Sequence, residues 1–215
     1  MCNSARRRQR GLTLIELIMF MVIVGAAAAG LLQIMNMANT NSTDPIRRKQ
    51  ALLIAEAYME EVQQAQMSVC DPADANAATA LRFADCAAAA TTENNWGPEA
   101  GNVRPFDNIN DYVPANYVAG TAVRAFAVND GTNLVDRDVA GNALGANAVG
   151  GLLANSPMSG ITTTLALTPV ALGPAGSQVP AADALQITIT VTYGGGTNDV
   201  VTLQGYRSRY EPRSL

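Results

Sequence analysis

Glu16 is an acid set inside an apolar run, and an ionised carboxylate there needs a partner. The run extends from Leu12 to Leu32, directly after arginines 6, 7, 8 and 10 and Gly11. At the centre of a membrane-spanning helix such a charge costs about 2.5 to 3.5 kcal/mol on insertion scales, and less near an end. If the chain is cut between Gly11 and Leu12, Glu16 becomes the fifth residue of a new terminus, one helical turn from a cationic α-amine. The chemistry this implies is ion pairing, with the amine of the same chain or of a neighbour. Catalytic chemistry has little to work with. The chain has no histidine, which removes Ser-His-Asp and Cys-His catalysis and the usual zinc sites. A Ser-Lys dyad would have to use Lys49, the only lysine, which lies close to the apolar run. We expect no enzymatic activity and no cofactor.

Two other groups of residues could do chemistry. Cys2 precedes Gly11 and would leave with a leader, so Cys70 and Cys86 remain, an even number suited to an oxidising compartment. A bridge closing that loop would contribute on the order of 3 kcal/mol, whereas the plain alternative is two buried thiols. Asp107 and Asp111, with Asn108 and Asn110, could supply hard oxygen ligands to Ca²⁺. The simpler reading is an Asx-rich turn with Tyr112 packed on the core, and we expect no bound metal. The stretch from Asp136 to Gly141 begins like a calcium loop, but Ala140 stands where an acid or amide is needed and Asn147 where the closing glutamate belongs.

The elements that must carry these residues follow from periodicity. As a helix, Leu12 to Leu32 spans roughly 30 Å, enough to cross a bilayer, with the arginines kept cytoplasmic. The polar stretch Asn39 to Thr43 predicts a break, and Asp44-Pro45 a new helix start, with Asp44 as N-cap and Pro45 at the first position. Positions 46, 50, 54, 58, 62, 65 and 69 then place six apolar or small side chains on one face. Arg47, Arg48, Lys49, Glu56, Glu60 and Glu61 form the opposite face, read as solvated, with pairing to neighbouring subunits as the functional alternative. Residues 71–105, rich in Ala, Asn and Thr, read as a disulfide-bounded loop region. Leu185, Ile187, Ile189, Val191 and Tyr193 alternate with polar residues as a half-buried strand. Val200 to Tyr210 is the returning strand of a hairpin, with Gly205 at a slip that predicts a bulge. Ile161 to Leu167 is a third strand and Tyr117 to Val128 a fourth. The expectation is an α+β fold, a long N-terminal hydrophobic helix packed on a C-terminal antiparallel sheet. Its 215 residues suffice for the membrane helix and one domain. Removing the four leader arginines takes the formal charge from −4 to −8, a poor balance for nucleic-acid binding.

The order Gly11-Leu12-Thr13-Leu14-Ile15-Glu16, after a short basic leader and before an apolar helix, resembles the class III signal of type IV prepilins and pseudopilins. The resemblance implies a pilin-like lollipop. Residues 1–11 would be the leader, 12–38 the transmembrane and filament-core helix, and 39–215 the globular domain, with 46–69 as its amphipathic helix and 106–215 mainly β. It further implies that prepilin peptidase cuts between Gly11 and Leu12 and methylates the amine of Leu12, and that Glu16 guides assembly with other pilin subunits on an inner-membrane platform. Leu12 stands where phenylalanine is commonest in the family, and Gln33 where major pilins often have proline. The segments DPIRRKQALLIAEAYMEEV, FDNINDY and ITVTYGGGTNDVVTLQGYRSRYEP resemble minor pilins of the mannose-sensitive haemagglutinin (MSHA) type of pilus. More loosely, they are similar to the I and J minor pseudopilins of type II secretion. The expected location is the inner membrane, single-pass with a periplasmic C-terminal domain, and then a pilus or pseudopilus. Competing readings are a general secretory signal cleaved near Ala26 to Gly30, an uncleaved anchor carrying an adhesin or binding module, and a twin-arginine signal.

Overall fold

The computed structural model of the protein describes residues 13–144, 160–194, 196 and 198–209, with 36–44 given by backbone alone. It divides into two compact units, Met1–Ile46 and Arg47–Leu215. In the first, the start of helix α1 (Leu14–Gln64) is apolar on every side, as the run from Leu12 to Leu32 predicts.

No break separates the two predicted helices. α1 is continuous, with Pro45 inside it. A proline costs about 3 kcal/mol in a helix interior, but the short polar residues before it cost well under 1 kcal/mol each, and good helix formers flank both sides. The helix stops at Gln64, short of the expected Val69.

In the second unit the buried stripe of α1 is Ala51, Ile54, Ala55, Tyr58, Met59 and Val62. Ile46, counted on that face from its spacing, is 60% exposed. Against the stripe lies an antiparallel sheet of β3 (Thr162–Pro169), β4 (Ala184–Thr192) and β5 (Val200–Ser208), with β4 in the middle. Leu165 and Leu167 of β3 and Ile187, Ile189 and Val191 of β4 are fully buried. Each such side chain contributes roughly 1.5 to 3 kcal/mol when removed from water. The register passes straight through Gly205, opposite Ile187, so no bulge forms there. The glycine has another cause: a Cβ would lie 2.6 Å from the Gln63 amide and 2.8 Å from the Met59 sulfur. At Gly205 the side chains of Met59 and Gln63 occupy the space a Cβ would need.

The predicted fourth strand shrinks to β1 (Ala127–Asn129), which pairs with β2 (Leu134–Asp136) as a separate ribbon. Before it, Val123 alone bridges to Leu165. Pro114 and Gly120 bracket turns there that leave no room for a longer strand. Residues 71–105 carry two short 3₁₀ turns, Phe83–Asp85 and Ala89–Thr91.

Candidate functional site

Among the described residues, the N-terminal unit presents one chemical feature. Leu14–Met35 has a mean hydropathy of 2.4 and is 0% buried within the chain, so by length and composition it can cross a membrane. Glu16 sits in its first turn, where its carboxylate accepts from the Thr13 backbone N–H at 3.4 Å and faces the Thr13 hydroxyl at 3.5 Å. An acid is favourable at that end, where the first N–H groups lack helical partners and the helix dipole is positive. Leu14, Phe20, Ile23 and Leu32 are all more than 60% exposed, a surface that calls for lipid or other helices around it.

The globular unit holds a denser arrangement. A 3₁₀ turn, Ile109–Tyr112, is capped by Asn108, whose side-chain oxygen accepts from the Ile109 N–H at 2.8 Å. It buries Asn110, Asp111 and Tyr112, the last as the Asx-rich-turn reading expects. Across from it runs the loop 93–99, pinned where the Gly97 N–H donates to the Asn110 carbonyl at 3.0 Å. Gly97 has φ +99° and no space for a side chain, since a Cβ would stand 2.6 Å from the Ala115 nitrogen. This brings Glu93 and Glu99 to Asp111, with one carboxylate oxygen from each inside 4.8 Å of the others. Burial raises the Asp111 carboxyl to about 8, helped by the charges of Glu93, Glu99 and Asp107. Burial likewise lifts Glu93 to about 7, against a hydrogen bond from Asn110 and with Glu99 adding repulsion.

A second polar centre is structural. Arg104 donates to both oxygens of Glu61 at 2.6 Å and to the Arg137 carbonyl at 3.0 Å, and lies over the rings of Tyr58 and Phe126. Glu61 therefore leaves the solvated face assigned to it. Asp136 is occupied by Arg124 at 2.8 Å and the Thr163 N–H at 2.7 Å, and Asp138 by the Asn142 N–H at 2.8 Å, so neither is free for a calcium loop. Asn147 lies outside the described residues.

Comparison with known proteins bears on the first feature. Residues 6–32 match the family model of the prokaryotic N-terminal methylation motif. The chain carries that methylation motif. The motif supports the type IV pilin and pseudopilin superfamily. No curated protein and no solved structure matches the chain. Within the methylation motif, Glu16 occupies the first turn of α1, while Gly11 and Leu12 lie outside the described residues.

Cys70 and Cys86 form a disulfide. Of the oxygen ligands considered from sequence, Asp111 enters the acid cluster, whereas Asp107 stays at its rim, accepting from Asn102 at 2.8 Å. Glu93 and Glu99 were not legible as partners. The available signal was local: two glutamates bracket Trp96-Gly97-Pro98 in a region otherwise dominated by alanine, asparagine and threonine.

Proposed function

We propose that this chain is a minor type IV pilin of an MSHA-like pilus, without chemistry of its own. Prepilin peptidase cuts between Gly11 and Leu12 and methylates the new amine. The apolar half of α1 waits in the inner membrane with the C-terminal domain periplasmic, until the assembly platform transfers it among the helices of other pilin subunits. Glu16 meets the amine of Leu12, on its own chain or on a neighbour, as it leaves the bilayer. The observation that carries this reading is the coincidence of the methylation motif with an exposed apolar helix whose one ionisable side chain lies in its first turn.

The test is intact mass and N-terminal sequencing of wild type and E16A recovered from membranes and from sheared filaments. A wild-type chain beginning at Leu12, one methyl heavier and present in pili, is expected. E16A should be cleaved as efficiently yet be missing from filaments. A chain beginning at Met1 or near Gly30 sinks the proposal, and E16A at wild-type levels in pili removes the charge-pairing role.

A further inference from the structure

The acid cluster of the globular unit is built in a way that a solvated acidic patch is not. Asp111 is 2% exposed and Glu93 5%. Among the described residues, Glu93 Oε1 and Asp111 Oδ1 are buried with no hydrogen-bond donor on them. Their other oxygens are held. Asn110 Nδ2 donates to Glu93 Oε2 at 3.0 Å, and Asn102 Nδ2 reaches Asp111 Oδ2 and Glu99 Oε2, each at 3.4 Å. Two amides thus fix the carboxylates from behind while one oxygen on each buried acid stays bare. Among the described residues, Arg82, Arg104, Arg124 and Arg209 are paired with other acids, Asp85, Glu61, Asp136 and Asp183.

Bare buried carboxylate oxygens cost several kcal/mol each unless a cation or a proton meets them. We propose that Glu93, Glu99 and Asp111 bind a calcium ion. Oxygens bound to one Ca²⁺ at about 2.4 Å lie at most about 4.8 Å apart, the spread these three groups keep. The donors are all oxygen, which favours a hard ion. Asn110 leaves its own Oδ1 without a partner beside Glu93. A half-buried site that supplies few ligands and admits water on the Glu99 side suits the tolerant coordination of calcium better than the strict octahedron of Mg²⁺. This site is independent of the assembly reading, because none of its residues belongs to the N-terminal unit.

The test uses the full chain in a neutral detergent, stripped with a chelator. Trp96, the only tryptophan, lies in the loop between Glu93 and Glu99 and is a built-in donor for terbium luminescence. Terbium emission sensitised by Trp96 is expected, displaced by Ca²⁺ with an affinity of roughly 10⁻⁴ to 10⁻³ M and confirmed by calorimetry. The double variant E93Q/D111N keeps the side-chain shapes, removes the repulsion and should melt no lower than the chelated wild type. Its calcium affinity should fall more than about 100-fold. Flat calorimetry with Ca²⁺ overturns the site, and so does calcium binding that E93Q/D111N leaves unchanged. Displacement by Mg²⁺ as readily as by Ca²⁺ overturns the assignment to calcium.

Discussion

At the residue scale, the globular unit depends on a buried ion pair whose loss is costly. The side chains of Arg104 and Glu61 are only 14% and 9% exposed, and the guanidinium also receives two aromatic faces and a carbonyl. Removing one member of such a pair leaves an uncompensated charge, at a cost of about 3 to 5 kcal/mol. R104A should lower stability by that amount in urea unfolding, and R104M/E61L should recover most of it. Equal losses in the single and double variants would show that packing, not charge, matters there. Glu61 also explains a limit of reading single residues. Helical spacing puts it beside Glu60 on the polar side, and its partner lies 43 residues away, across a loop without periodicity.

At the scale of elements, the most constrained connection is the loop 93–99. Gly97 combines a left-handed backbone with contact against Ala115, so its lack of a side chain lets the loop close on the 3₁₀ turn. G97A is expected to destabilise the domain by on the order of 2 kcal/mol or more, and to weaken whatever the acid cluster binds. A urea midpoint within about 0.5 kcal/mol of wild type would show that the loop adapts instead. The β-hairpin of β4 and β5 was legible because a period of two survives over nine residues in each strand. The helix was legible in its apolar segments but not in its continuity, since polar residues and a proline mark a boundary only statistically. Gly205 was read as a bulge because a missing side chain looks the same in sequence whether the strand bends or a helix presses on it.

At the scale of the whole domain, the acid cluster links stability to pH and to divalent ions. Asp111 and Glu93 are raised to about 8 and about 7 from ordinary values of 3.8 and 4.5. In the chelated protein the folded state therefore holds protons that the unfolded chain releases. That contribution is complete below about pH 4 and is lost as pH rises through 7 to 8. The melting temperature with chelator should fall between pH 5 and pH 9, with calcium restoring it most at the alkaline end. A pH-independent melt would show that these carboxyls are not raised. The α+β class and the exposed apolar helix followed from composition and period alone. The cluster did not, because its members come from two irregular segments joined by a glycine contact.

The disulfide bears on this site. The Val69 carbonyl accepts the Glu93 N–H at 3.0 Å, and the next residue, Cys70, pairs with Thr92 as an isolated bridge and carries the bond to Cys86. The segment that holds Glu93 is therefore fastened beside the cystine. Reducing the Cys70–Cys86 bond is expected to loosen the position of Glu93, and with it the acid cluster.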